Sequence, residues 1–273
     1  DITAWSRVAH KKTKIIFCLV DSYLALKQGS LSNMLRGITK FCSGEQKFLR
    51  PNYSKSLIEM CNKADGVVCS TEEQKETVQK YCKNVHIILE SQSKITHHHK
   101  VDYSIKKHIK LVWEGRPETI GALKHFKEVL IKLTTKHKIS LHIITDLEYK
   151  KYSNKFVNVS VIDQIKAMFG DTFRLNTVDG TPSLVYFYQW NTEMTSKIIT
   201  ECDFAVIPLD MSNSLMHGKP ENKLLFFWRI GMPTFVSPTP AYTRVMDRCG
   251  LEMYCHEETD WIQKLETYIA NID

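Results

Sequence analysis

Short apolar runs alternate with segments of mixed polarity along most of the chain. In the first hundred residues, buried strands are predicted at the apolar runs and helices between them: strands at 13–20, 64–70 and 85–89, helices at 54–63 and 71–80. Thr71, followed by two glutamates, has the composition of a helix N-cap. This rhythm favours parallel strands joined by helical crossovers, although so few strands make an incomplete domain.

The alternation of predicted strands and helices continues over more elements in the second part of the chain. Strands are predicted at 109–114, 140–145, 184–188, 204–208 and 233–237. Helices are predicted at 120–134, 162–168, 191–200, from Lys219 to a stop at Gly231, and at 259–272. The last of these has apolar residues at helical spacing, so we expect an amphipathic closing helix.

A polar stretch separates the two regions. Residues 91–108 are rich in histidine, lysine and serine and have no apolar period, which is typical of a linker. We therefore predict an α/β fold with a partial first domain at 1–100, a second domain at 101–258 and a closing helix at 259–273.

Composition narrows the class of protein. Of the 273 residues, 43% are hydrophobic and 25% charged, as in a folded protein. No apolar run approaches the roughly 18 residues that span a bilayer, and the first residues have no signal-peptide pattern. The eight cysteines form no C-x-x-C pair, which argues against disulfides or zinc and for a reducing, cytoplasmic location. Because His97 to His99 lack partners at ligand spacing, we expect no metal.

The chain is basic, with a formal net charge of +7 and clusters at 97–100, 106–108 and 136–138. Two interpretations stay open: a solvated basic face, or attraction to an anionic substrate or to an anionic membrane at the inner face of the plasma membrane. A nucleic-acid partner is not expected, because the lysines are not interleaved with aromatics in a recognisable module. The phosphate-binding signatures G-x-x-x-x-G-K-[ST] and G-x-G-x-x-G are both missing.

Candidate binding chemistry follows the predicted strands of the second domain. Ligands of open parallel sheets bind beyond the carboxyl ends of the strands. Gly115 allows the backbone to come close to a ligand there, and Arg116 either donates two hydrogen bonds to phosphate oxygens or is merely solvated. Lys219 and Lys223 are predicted on one face of a first helical turn, with Pro220 at its first position. The two lysines either bind a phosphate, or form ion pairs with Glu221 or are solvated.

Further candidates lie at the same strand ends. Glu221 either accepts hydrogen bonds from ribose hydroxyls or is an ordinary acid of a helix start. Trp190 either flanks a base or sugar or belongs to the core, and Asn222 and Tyr242 complete the predicted binding set. In the first domain, Asp21 follows a buried strand and acts as a catalytic base or caps the next helix.

Five segments in this order resemble the GT-B glycosyltransferases, nearest to the bacterial group that builds lipopolysaccharide O-antigen and capsule. They are KADGVVCSTEEQKETVQKYCKNVHIIL, KLVWEGRPETIGALKHFKEVL, CDFAVIPL, GKPENKLLFFWRIGMPTFVS and TPAYTRV, and they fall between about residues 55 and 250. The resemblance implies two Rossmann-like domains, the second binding a nucleoside diphosphate sugar and the first a glycan or lipid-linked acceptor. It also implies catalysis without metal or other cofactor, with Arg116, Lys219 and Lys223 stabilising the leaving diphosphate.

The chain departs from the family at two places. Retaining relatives often have glutamates at the positions of Gly218 and Phe226. We therefore assign the ribose-binding role to Glu221 instead, and whether the reaction retains or inverts the sugar configuration stays open. The first domain is also shorter than the family's, so we expect it to be incomplete. The leading prediction is a glycosyltransferase of bacterial surface polysaccharide synthesis. The alternatives are a non-catalytic binding subunit of the same fold and, third, a sugar-nucleotide epimerase or hydrolase.

Overall fold

Three short parallel strands form the sheet of the first domain: β1 (Ile16–Cys18), β2 (Gly66–Cys69) and β3 (Val85–Ile87), in that spatial order. The computed structural model describes residues 1–8, 13–26, 31–90, 93–151, 157–170 and 183–271. The helices of this domain are α1 (Ile2–Val8), α2 (Leu31–Cys42), α3 (Tyr53–Lys63) and α4 (Glu72–Val78). The predicted parallel pairing is confirmed, and β2 is the central strand.

The helix starts of this domain follow their local sequence. The Thr71 hydroxyl accepts a hydrogen bond of 3.2 Å from the backbone N–H of Gln74, which confirms the predicted N-cap of α4. Asn52 caps α3 in the same way, through the N–H of Lys55 at 3.0 Å. A small buried cluster that includes Leu57 and Val67 lies between α3, α4 and the sheet.

Five parallel strands form the sheet of the second domain: β4 (His108–Glu114), β5 (Lys138–Thr145), β8 (Val185–Gln189), β9 (Phe204–Ile207) and β10 (Thr234–Val236). Their spatial order is β10-β9-β4-β5-β8. The chain runs outward from β4 through β5 to β8 and then returns to the other side of β4. The strand order therefore reverses between β4 and β9, where a crevice opens at the carboxyl ends.

Helices cover this larger sheet: α5 (Lys127–Thr134), α6 (Val161–Phe169), α7 (Met194–Thr200), α8 (Asn222–Ile230), α9 (Pro240–Arg248) and α10 (Glu258–Ala270). The core is continuous and aromatic, with ring centroids of Phe235 5.7 Å from Phe204 and 5.3 Å from Tyr268. Gly231 ends α8 in a left-handed conformation, φ 82°, which confirms the predicted stop.

Several elements differ from the sequence prediction. The helix expected at 120–134 is divided into a 3₁₀ helix, Pro117–His125, and α5. The small hairpin of β6 (Glu148–Lys150) and β7 (Val157–Ser160) was not predicted, nor were α1 and α9. Positions 91–92 of the expected linker and 272–273 of the closing helix lie outside the described residues.

The predicted linker is attached to the second domain. The backbone N–H of Lys100 donates to the Ile230 carbonyl at 2.7 Å, and its ammonium donates to the Cys202 carbonyl, also at 2.7 Å. Tyr103 donates its hydroxyl to the Gly231 carbonyl at 2.9 Å. The segment after residue 93 is therefore fixed by contacts with α8 and its surroundings. The exact domain limits stay a prediction.

Candidate functional site

A cleft of about 530 Å³ opens at the carboxyl ends of β4 and β9, where the strand order reverses. Its lining comes from the 3₁₀ helix after β4, the loop after β9 and the start of α8: Trp113, Arg116, Glu118, Thr119, Gly121, Ala122, Lys124, His125, Ile207, Pro208, Leu209, Asp210, Asn213, Met216, Lys219 and Lys223. Arg116, Lys219 and Lys223 thus share one space, which we name the cation cleft.

Lys223 lies at the second position of α8 and contacts the end of β4. Its ammonium donates to the backbone carbonyl of Glu114, lies 3.4 Å from the carboxylate of the same residue, and is 5.4 Å from the centroid of the Trp113 ring. A Cβ atom on Gly115 would be 2.8 Å from this ammonium and 2.7 Å from the indole. Glycine at position 115 therefore leaves the space that the Trp113 ring and the Lys223 ammonium occupy beside β4.

Lys219 lies outside the helix, and this corrects the predicted shared first turn. Helix α8 begins at Asn222 with Glu221 as N-cap, so Pro220 is not its first residue. Lys219 is extended, with φ −72° and ψ 124°, because a residue before proline is restricted to extended conformations. The lysine instead ends the 3₁₀ helix Ser214–Gly218, from which its side chain enters the cation cleft.

The positive charge of Lys219 is energetically unfavourable in this place. Burial and, second, the charge of Lys223 lower the pKa of Lys219 to about 8, against the opposing attraction of Asp21. A neighbouring anion would relieve both effects. The cleft is therefore suited to a negatively charged group that accepts hydrogen bonds.

Arg116 forms the outer rim of the cleft. Its side chain is 77% exposed and donates a hydrogen bond of 2.9 Å to the carboxylate of Glu118. This hydrogen bond raises the pKa of Arg116, and Asp21 adds to the effect. The guanidinium keeps further donors for a ligand, since Glu118 uses only one of its two terminal nitrogens in this pair.

Asp21 belongs to the first domain and follows β1. Its carboxylate is exposed, and its charge favours the protonated forms of both Arg116 and Lys219. The charge of an acid in one domain therefore acts on cations of the other. Its predicted catalytic role stays a prediction.

Six of the nine predicted residues do not line the cation cleft: Asp21, Gly115, Trp190, Glu221, Asn222 and Tyr242. The structure corrects the expectation for Tyr242, whose side chain is fully buried in the core, where its hydroxyl has no partner among the described residues. Trp190 follows the edge strand β8 and packs partly buried against the core, separated from β4 by β5. The structure therefore places both aromatics against the core, and the predicted contact of Trp190 with a base or sugar stays a prediction.

Glu221 and Asn222 form a second polar group beside the cleft. One carboxylate oxygen of Glu221 and the amide oxygen of Asn222 are buried without a hydrogen-bond partner among the described residues. Burial raises the pKa of Glu221. A hydroxyl group is chemically suited to donate hydrogen bonds to such acceptors.

Sequence reasoning missed Ser22 and Gln74. Both belong to the first domain and donate hydrogen bonds to the carbonyl of Gly218, immediately before Lys219. The Thr71-x-x-Gln74 spacing had the form of a capping box, in which the glutamine side chain turns back on its own helix start. The side-chain oxygen of Gln74 does turn back, accepting from the Ser70 N–H at 2.8 Å, but its amide nitrogen points to the other domain, and no local pattern gives this direction.

The described residues contain no group of three or more His, Cys, Asp or Glu side chains that could hold a metal ion. Within the same part of the chain, no helix is long and apolar enough to cross a membrane.

Comparison with solved structures identifies the fold. No protein-family profile and no curated protein sequence matches the chain. The crystal structure of TarM matches with a TM-score of 0.58 at 14% identity, over 98% of this chain and 45% of TarM. A trehalose-6-phosphate synthase, from a study of glycosyl transfer with retention, matches with a TM-score of 0.55 at 12% identity, over 81% of this chain and 56% of the synthase. The apo structure of OtsA matches with a TM-score of 0.52 at 10% identity, over 95% of this chain and 66% of OtsA.

These neighbours include GT-B glycosyltransferases, so the predicted α/β fold with two Rossmann-like domains is confirmed. The chain spans about half the length of TarM and of the synthase. At such low identity, the likeness establishes the fold and leaves activity to be argued from the site.

Proposed function

We propose that this chain is a glycosyltransferase that binds a nucleoside diphosphate sugar in the cation cleft and transfers the sugar without a metal ion or other cofactor. The observation that carries the proposal is the convergence of Arg116, Lys219 and Lys223 on one cleft at the reversal point of the sheet. Three positive groups there can neutralise the charge that develops on a leaving diphosphate. The resemblance of the motifs and the shared fold support the same activity.

Each group has a distinct role in this proposal. Lys219, which forms no ion pair with another described residue, binds a phosphate oxygen directly. Lys223 exchanges part of its contact with Glu114 for the ligand, and Arg116 closes the outer rim. Glu221 and Asn222 accept hydrogen bonds from the ribose hydroxyls, which gives partners to their buried oxygens.

The acceptor side is proposed from the resemblance. Asp21 faces the cations from the first domain and activates or orients the acceptor hydroxyl. The acceptor is a glycan or lipid-linked oligosaccharide of bacterial surface polysaccharide, such as O-antigen or capsule. We place the protein in the cytoplasm, in peripheral contact with the anionic inner face of the plasma membrane, because the chain carries a net charge of +7.

A non-catalytic nucleotide-sugar or glycan-binding subunit is the second candidate. Phe226, at a position where retaining relatives often have glutamate, is 2% exposed in the core and offers no carboxylate to a sugar. Transfer assays with a panel of sugar nucleotides and added glycan acceptors, in the presence of a chelator, separate the two. Nucleoside diphosphate released only with acceptor supports transfer, while binding without turnover supports the subunit.

Binding itself is tested by calorimetry with uridine and guanosine diphosphate. Because a charge-assisted hydrogen bond contributes about 1.5–3 kcal/mol, Lys219→Ala should weaken binding roughly 10- to 100-fold. Lys197→Ala removes an exposed lysine of α7 that does not line the cleft and should leave affinity unchanged. Equal affinities of the Lys219 variant and the parent would remove the phosphate assignment.

A further inference from the structure

The loop that carries Lys219 is held from the other domain. The hydroxyl of Ser22 donates to the carbonyl oxygen of Gly218 at 2.8 Å, and the side-chain amide of Gln74 donates to the same oxygen at 2.9 Å. Ser22 lies just after β1 and Gln74 in the first turn of α4. Two donors from separate elements of the first domain therefore converge on one peptide of the second domain.

Gln74 is a fully used, buried amide. It is 3% exposed, its nitrogen also lies 3.0 Å from the Val20 carbonyl and 3.1 Å from the Ser22 hydroxyl, and its oxygen accepts from the Ser70 N–H at 2.8 Å. These contacts fix the side chain in one orientation. The donor that reaches Gly218 is thus rigidly placed by its own domain.

Gly218 is fitted to this contact. A Cβ atom there would be 2.1 Å from the Ser22 hydroxyl oxygen and 3.2 Å from the Gln74 side chain. No side chain fits between the two domains at this point. The absence of a Cβ allows the Gly218 carbonyl to approach both donors, and its chain neighbour Lys219 is held with it.

We propose that Ser22 and Gln74 are positioning residues that fix Lys219 in the cation cleft when the two domains are closed. We name these hydrogen bonds the Gly218 clasp. This inference rests on the proposed phosphate role of Lys219. It makes the first domain a part of donor binding as well as of acceptor binding, because opening the domains releases the lysine from its place.

The bidentate ion pair beside the clasp supports the same closed arrangement. Glu73, next to Gln74 on α4, accepts from both terminal nitrogens of Arg244 on α9, at 2.5 and 3.3 Å. The first turn of α4 therefore holds two sites of the second domain through neighbouring residues. Only the contact at Gly218 adjoins the cation cleft.

The test uses the full chain and the variant Ser22→Ala. Within the described residues, the Ser22 hydroxyl contacts only the Gly218 carbonyl and, as an acceptor at 3.1 Å, the Gln74 amide nitrogen, so its loss should have little effect on folding. Ser22→Thr keeps a hydroxyl and is the conservative control. Gln74→Glu replaces the donor nitrogen by oxygen and keeps the acceptor for Ser70, and Gln79→Glu makes the same charge change at an exposed position that follows α4.

Three measurements are expected to change together. Loss of a hydrogen bond should speed hydrogen exchange in peptides from 209 to 221 by about fivefold in Ser22→Ala, and by more in Gln74→Glu. NMR of ¹³C-methylated lysines should show Lys219 titrating closer to an ordinary lysine, since it leaves its buried place. Affinity for uridine diphosphate and for inorganic pyrophosphate should fall by about fivefold. Ser22→Thr and Gln79→Glu should resemble the parent.

The outcomes are distinguishable. Unchanged exchange and an unchanged Lys219 titration in both clasp variants would overturn the proposal. Faster exchange spread equally over both domains would also overturn it, because this would indicate general loss of stability. If neither diphosphate binds the parent while exchange and the Lys219 titration respond as expected, the clasp stands and the proposed function fails.

Discussion

The two domains bury their sheets to very different degrees. In the second domain, a five-stranded sheet with long central strands lies in one continuous apolar core. In the first, a three-stranded sheet of short strands has a small cluster, and the amphipathic helix α2 exposes apolar side chains at helical spacing, among them Leu31 at 77% and Leu35 at 61%. We conclude that the second domain supplies the rigid frame of the cation cleft.

The difference also explains how the site is divided. Lys219, Lys223 and Arg116 follow strands of the large sheet, where packing on both faces fixes the backbone. The first domain contributes small polar contacts at its edge, Ser22 and Gln74, and the charge of Asp21. A domain with a small core can make these contributions, because hydrogen bonds and electrostatic attraction depend on where the groups lie and not on the size of the core.

The largest expected effect is the loss in free energy of unfolding when a buried leucine is replaced by alanine in each of the two cores. Leu111→Ala, in the middle of β4, should lower the free energy of unfolding by about 4–5 kcal/mol, near the upper end for buried leucine. Leu57→Ala, in α3 of the first domain, should lower it by about 3 kcal/mol, because its thinner surroundings can collapse into the cavity.

Native-state hydrogen exchange of peptides from β2 and β4 measures the two losses separately. Ile131→Ala, at a partly exposed position of α5, is the control and should change little. Equal losses at Leu111 and Leu57 would contradict the difference in rigidity between the domains.

The next effect is the pH dependence of nucleotide binding. Lys219 has a pKa of about 8 in the free protein, and an anion favours its protonated form. Affinity should therefore be complete below pH 8 and fall as pH rises through this value, to about one tenth at pH 9. Calorimetry with uridine diphosphate in buffers of different ionisation enthalpy should also detect proton uptake on binding near pH 8.5.

Asp21→Asn sharpens this prediction across the domains. Because Asp21 raises the pKa of Lys219, its removal should move the midpoint of the binding profile to lower pH. Lys219→Arg, which stays charged, should abolish the decline near pH 8. A profile flat from pH 7 to 9 in the parent would show that Lys219 does not bind the phosphate.

Much of the larger domain could be predicted from sequence because its strands are buried on both faces and read as apolar runs. The 204–208 prediction differs from β9 by one residue, and Gly231 ends α8 as expected. The start of α8 could not be placed, since Pro220 fits both a first helical turn and the extended segment before an N-cap.

The site was harder to predict than the fold because it depends on contacts distant in sequence. Strand order brings Arg116 to Lys223 and leaves Trp190 at the edge, and this order is set by nonlocal pairing. The two donors on Gly218 are separated from it by 196 and 144 residues. Polar contacts of this kind leave no period in the sequence.

The smallest expected effect concerns the ion pair between the domains. Glu73 and Arg244 have side chains 12% and 27% exposed, so their interaction is screened less than that of a surface pair. A double-mutant cycle with Glu73→Gln and Arg244→Met should give a coupling of about 1 kcal/mol. The exposed pair of Lys14 and Asp65, within the first domain, should give a smaller coupling.

The acid dependence of this coupling has a definite sign. Burial raises the pKa of Glu73, but the hydrogen bond from Arg244 outweighs burial and holds this pKa below its usual value. Stability from the pair is therefore present above the unfolded pKa of about 4.3 and is lost as pH falls through the lower folded value. Urea unfolding at pH 7 and pH 3 measures both couplings. The absence of coupling at pH 7 would mean that this pair does not help to hold the small domain to the large one, and an equal coupling at the two pH values would contradict the predicted loss on protonation of Glu73.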